Sequence, residues 1–178
     1  MQRPPEIAGP LRAAEQRSAC AEVGVEQLTI LDHPDGMLMP TLELRRDIAR
    51  EIRVFQPDVV VTMNWAVEVA WGLNQADHRA AGLATLDACR DADNTWVFPE
   101  LAADAGLEKW GPTWLLVGGD DHPTHAIGVS DTDVAASVAS LSAHQAYLAD
   151  LPWHPAPSEF LPPMLAEGGR AAGVDHAV

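Results

Sequence analysis

A chain of 178 residues, 47% apolar and 21% charged, is long enough for one domain with a real core and too apolar to be a disordered chain. A net charge of −15 repels phosphate backbones and argues against a nucleic-acid partner, and no apolar run approaches the ~20 residues of a membrane span. The first residues hold no apolar core of a secretory signal, and Cys20 and Cys89 are far apart, so they read as buried thiols of a reducing, cytoplasmic compartment.

Residues 11–23 are rich in strong helix formers and predict a helix, with Gly24 as its left-handed residue past the end. Gln27–Leu31 predicts a short strand, and His33-Pro34-Asp35-Gly36 predicts a turn. Residues 41–55 carry apolar positions 42, 44, 48, 52 and 55 at helical period, with Thr41 as N-cap and Pro57 as the stop. Asp58–Thr62 is β-branched without a break, which suits a buried parallel strand. After a loop, residues 76–92 predict a helix that begins just past Asn74-Gln75. Residues 99–112 read as irregular, 113–117 as a strand, and 131–149 as a helix capped by Asp131 or Thr132. Residues 151–163 hold five prolines and are expected to be irregular, with a last short helix over 164–172.

This alternation predicts an α/β fold, a parallel sheet covered by helices over a single domain, residues 1–178. Parallel strands place ligands at their carboxyl ends, so the loops after Leu31, Thr62 and Val117 are where a site belongs. In the loop that leads to the third helix, Asp77 and His78 stand in the helix's first turn. His78 could ligate a metal, with Asp77 orienting it or holding a proton. Equally, Asp77 could serve the helix N-terminus electrostatically while His78 packs. His122 and His125, near Asp120 and Asp121, have a spacing compatible with metal, but a solvated turn is the better reading of Gly119–His125. His144 reads as a half-buried structural histidine. There is no nucleophile elbow, no Gly-rich phosphate cradle and no dinucleotide fingerprint.

In order along the chain, these segments resemble the PIG-L/LmbE-like family of zinc-dependent N-deacetylases. Arg12-x-x-Glu15-x-x-x-Ala19 followed by Val23-Gly24 looks like the family's helix before its third strand. Pro34-Asp35-Gly36-x-Leu38 looks like its Pro-Asp-Gly-x-Leu loop, and residues 45–62 resemble its helix-strand unit. Asn74-Gln75-Ala76-Asp77-His78-Arg79 resembles its Asn-His-Pro-Asp-His-Arg motif, and Phe98–Leu101 and Val129–Thr132 continue the match. The resemblance implies a Rossmann-like three-layer fold and removal of an N-acetyl group from an N-acetylglucosamine-containing small molecule or glycoconjugate. It implies zinc, with His78 as a ligand, Asp77 and Gln75 at the catalytic position, and Arg12 and Asp35 on substrate. A homo-oligomer is a possible assembly.

Two departures qualify this. The family's His-Pro-Asp-Asp motif, which supplies two zinc ligands and the water-activating carboxylate, has no counterpart, so a first strand-helix-strand unit is expected to be missing and the chain truncated at both ends. Gln75 stands where the family has a histidine; a Gln can donate a hydrogen bond but cannot deliver a proton. Zinc binding is therefore expected to be weak or absent in this chain. The alternative is a non-catalytic relative that binds a sugar or a partner without metal.

Overall fold

The computed structural model describes residues 3–70, 72–120 and 122–178. Helix α1 (Pro5–Glu22) starts earlier than composition indicated. Pro5 occupies a first-turn position where its missing N–H costs nothing and its fixed φ suits the helix. The helix ends as expected, with Gly24 at φ 70° and the Val25 N–H returning to the Cys20 carbonyl at 2.9 Å. The strand expected at Gln27–Leu31 is not formed, since residues 25–34 join no ladder. Val25, Leu28 and Ile30 all stand exposed. β propensity expresses fit to a neighbouring strand and a buried face, and neither is present there.

Helix α2 (Leu42–Phe55) follows, with the Thr41 hydroxyl accepting the Leu44 N–H at 3.2 Å and left-handed Gln56 closing the far end. Strand β1 (Val59–Met63) comes next. A two-residue hairpin, β2 (Glu68–Val69) with β3 (Gly72–Leu73), leads to helix α3 (Ala76–Ala92). The stretch expected to be irregular contains one short helix, α4 (Glu100–Ala103). Strand β4 (Trp114–Gly118) pairs parallel with β1, Val59 opposite Trp114 and Met63 opposite Gly118.

The helix expected over 131–149 is two: α5 (Asp131–Ser142) and α6 (Gln145–Ala149). Its cap is Ser130, one residue before the expected pair, in a reciprocal box with Asp133. The Pro-rich stretch 151–163 is irregular only to Ala156, because helix α7 runs Pro157–Ala172. Pro157 opens it at a position that tolerates proline. Pro162 and Pro163 lie inside it and give up hydrogen bonds, while buried Leu165 and Gly169 anchor the helix.

The described chain falls into two units, one formed by the residues up to Ile30 together with Thr124–Val178, the other by Leu31–Pro123. In the first, α5 packs on α1 and on α7, and the Ser140 hydroxyl donates to the Ala19 carbonyl at 3.0 Å. Its chain end pairs back, Ile127 exchanging two 3.0 Å backbone bonds with Val178.

In the second unit, α2 and α3 pack through a core of Ala49, Ile52, Ala88, Cys89 and Ala92, with Val60 and Leu115 of the two strands against it. Gly82 lets α3 approach β1, since a Cβ there would overlap the Met63 carbonyl oxygen. The opposite side of the strand pair is open, with Val61 69% and Trp114 63% exposed. Arg53, only 2% exposed, ends this core. Its guanidinium donates to the carbonyls of Asp91, Ala92, Asn94, Val97 and Phe98 at 3.0–3.4 Å, closing the carboxyl end of α3 and the turn beyond. Arg45 adds a two-pronged pair to buried Asp91, both bonds at 2.8 Å. Cys20 and Cys89 are buried free thiols, and burial pushes the Cys89 thiol up, away from reactivity. Among the described residues no helix is long and apolar enough to cross a membrane.

Candidate functional site

The carboxyl end of β1 runs directly into Asn64, and this residue organises the loop that follows. Its N–H donates to the Gly118 carbonyl at 3.0 Å, and its side-chain amide donates to the Gly119 carbonyl, so the ends of β1 and β4 are tied together. Asn64 Oδ1 accepts the Ala66 N–H at 2.9 Å. Buried Asn74 closes the loop from the other side, donating to the carbonyls of Asn64 at 3.0 Å and Ala66 at 3.1 Å. Arg79 in turn donates to the Asn74 carbonyl. The start of α3 is thereby fixed relative to the strand ends.

Gln75 is the N-cap of α3. Its Oε1 accepts the N–H groups of Asp77 at 2.6 Å and His78 at 3.2 Å, while its Nε2 has no partner among the described residues. The oxygens of Asp77 are both engaged. Oδ2 accepts the Gly36 N–H at 2.6 Å and Oδ1 accepts the Leu38 N–H at 3.1 Å. The loop so held turns at Pro34–Met37, with Gly36 at φ 81°, a conformation open to glycine. Asp35 sits exposed on this turn, and His78 is exposed at the start of α3. His33, next to the loop, pairs with Asp47 of α2 at 3.1 Å.

The structure thus brings Asp35, Gln75, Asp77 and His78 into one hydrogen-bonded assembly of loop and helix start. Arg12 belongs to the other unit. There its Nη1 donates to Glu15 Oε2 at 2.8 Å and to His144 Nδ1 at 3.0 Å, and its guanidinium lies 4.2 Å from the centre of the Tyr147 ring. The segment around His122 is an exposed turn, with Asp120 Oδ1 accepting the His122 N–H at 2.8 Å; Asp121 lies outside the described residues. Among the described residues no group of three or more His, Cys, Asp or Glu comes together to hold a metal ion.

Two asparagines were not read from sequence as site-builders. For Asn64 the signal was present, since a polar amide directly after Val59–Met63 stands at the carboxyl end of a strand, where sites form. For Asn74 only its place in the motif pointed that way.

Parallel strands flanked by helices, with the polar loops gathered at the strand ends, define a Rossmann-like α/β protein. The family model for PIG-L, GlcNAc-PI de-N-acetylase, matches residues 2–89. All five candidate residues lie inside that stretch. No curated protein matches the chain by sequence. Among solved structures, a conserved protein from Thermus thermophilus superposes with a TM-score of 0.75 at 22% identity, over 94% of this chain and 70% of that one. The N,N'-diacetylchitobiose deacetylase from Pyrococcus horikoshii, complexed with its inhibitor, superposes with a TM-score of 0.80 at 19% identity. That match covers 94% of this chain and 61% of the deacetylase, so this chain spans less than two thirds of it. At such identities the likeness concerns the fold.

Proposed function

We propose that this chain is a PIG-L-type module that recognises an N-acetylated amino sugar and serves in removal of its acetyl group. The reading is carried by the Asp77 clamp, which joins the Pro-Asp-Gly-x-Leu loop and the helix start bearing His78 into one unit. Asp35, exposed on the loop, is suited to accept hydrogen bonds from sugar hydroxyls. Gln75 Nε2 is suited to donate to the acetamide oxygen and to the oxyanion that forms from it. It cannot protonate a leaving amine. Arg12 enters this reading by its motif alone.

The family's zinc does not find its site in the described residues. A catalytic zinc takes three protein ligands and keeps one open position. His78 is one candidate ligand, while the oxygens of the neighbouring Asp77 accept two backbone N–H groups. No step through a metal follows from these residues. A binding relative without catalysis is the second reading, favoured by Gln75 serving as helix cap and by the commitment of Asp77.

The full chain with N-acetylglucosamine, followed through its backbone amide resonances with and without zinc, tests both. Shifts at Gly36, Leu38 and His78 are expected on sugar addition. Release of free amine in the presence of zinc selects the hydrolase, and binding without release selects the second reading. Absence of both overturns the proposal.

A further inference from the structure

Arg12 and His144 meet through a contact that fixes the protonation state of the histidine. A guanidinium has five donors and no acceptor, and it does not lose its proton in proteins. The 3.0 Å contact from Arg12 Nη1 to His144 Nδ1 therefore requires Nδ1 to present its lone pair, which places the imidazole proton on Nε2. Nη1 has two protons, and both are in use, the second on Glu15 Oε2 at 2.8 Å. The Tyr147 ring covers the guanidinium at 4.2 Å. Glu15, itself buried, also accepts the Ala146 N–H at 2.6 Å through Oε1 and so ties the same carboxylate to the first turn of α6.

His144 stands at the break between α5 and α6 and is 9% exposed. The charged groups that face it are Arg12 and Glu15, both from α1. Protonation of Nδ1 removes the only acceptor this ring offers Arg12 and sets two cations 3.0 Å apart in a half-buried place. Glu15 then has two cations to serve with oxygens already engaged. The contact cannot persist as it stands.

The geometry points to a pH-sensitive latch between α1 and α6, in which neutral His144 is the positioning residue of Arg12 and its protonation releases the guanidinium. The latch rests on the first unit alone and stands whether or not Arg12 meets a sugar. Burial, then the nearby Arg12, holds the histidine below its ordinary value, with Glu15 opposing, so in this unit the neutral form is the resting form at neutral pH.

The test is a titration of the full chain from pH 8 to 5, following the His144 ring nitrogens and the Arg12 side-chain N–H by nuclear magnetic resonance. Far-UV circular dichroism monitors the fold. The expected result is one midpoint, below about 6.5, shared by His144 and Arg12 while helix content holds. In His144→Gln, whose amide oxygen can still accept from Arg12 and does not titrate, the Arg12 signal is expected to stay flat through the same window. In Arg12→Met, the His144 midpoint is expected to rise. An ordinary midpoint for His144, or an Arg12 signal indifferent to it in the wild-type chain, overturns the latch, and that wild-type result decides the matter if either variant fails to fold.

Discussion

The carboxylate of Asp77 holds the backbone of Gly36 at 2.6 Å across 41 residues of sequence. Its other oxygen holds Leu38 at 3.1 Å, so the side chain acts as a bracket between loop and helix. Asp77→Asn keeps one oxygen acceptor and turns an N–H donor toward another donor. Hydrogen bonds to charged groups are worth about 1.5–3 kcal/mol, less where solvent reaches them as it does here. Amide exchange at Gly36 and Leu38 is expected to accelerate on the order of tenfold with the fold unchanged, since ~1.4 kcal/mol corresponds to that factor. Unaltered exchange at both amides would show that the bracket does not operate in solution.

Arg53 should be the costliest substitution in the second unit. Its removal takes five charge-assisted bonds from this turn; the carbonyls of Asp91, Ala92, Asn94 and Phe98 each keep a backbone N–H, while the Val97 carbonyl loses the guanidinium it faces. Leaving a buried acceptor unsatisfied costs about 1–3 kcal/mol at the outset, with partial relief by water. Arg53→Met is expected to lower the unfolding free energy by ~3 kcal/mol or more, read from urea midpoints. Arg53→Lys keeps the charge but not the spread of donors, and is expected to recover less than half of the loss. A midpoint for Arg53→Met near that of the parent chain would count against this account.

The first unit should weaken in acid, in two stages. Burial and Arg12 depress His144, so the unfolded chain takes up a proton that the folded chain resists. Stability from this source is complete above about pH 6.5 and is lost as the pH falls through the folded value. For Glu15, burial pushes the carboxyl up, but the Arg12 bond and the N–H groups of Ala146 and Tyr147 outweigh it and hold the carboxyl low. Its contribution is present above the ordinary glutamate value of ~4.3 and is lost below it, through the depressed one. Urea midpoints from pH 8 to 4 are expected to be level at first and then to fall. His144→Gln should delay the onset of that fall. A wild-type profile level down to pH 5 would remove the histidine stage.

These features differ in how far the sequence announces them, and the reasons are physical. α2 and α3 were legible because the cap, the 3.6-residue period and the stop are local signals: Thr41, the apolar positions from 42 to 55, and Gln75 before Ala76. The strand expected at Gln27–Leu31 did not form, because β-branched residues become a strand only beside another. The helix through Pro162 and Pro163 was missed because a local rule against proline yields to packing by Leu165 and Gly169. The role of Arg53 had no local signal, since nothing in a one-dimensional pattern shows that five carbonyls converge on it. For the candidate site, Asp77 and Gln75 were singled out by their motif, yet the loop bracket and the helix cap they provide depend on spatial neighbours.

Gln75 offers two functions at two atoms, and substitutions can separate them. Its Oε1 caps α3 by accepting from Asp77 and His78, while its Nε2 is the donor proposed for an acetamide oxygen. Gln75→Ala removes both and is expected to cost about 1 kcal/mol, the usual worth of an N-cap side chain. Gln75→Ser supplies a preferred cap at short reach, so stability should return to the parent level or rise slightly above it. The serine hydroxyl does not extend as far as the glutamine amide, so the sugar-binding donor should stay lost. Urea midpoints are therefore expected to rank Ser at or above Gln, with Ala lowest. Resonance shifts on N-acetylglucosamine addition are expected to be large for Gln75 and small for both variants. Equal sugar binding by the serine variant and the parent chain would leave Gln75 as a helix cap and nothing more.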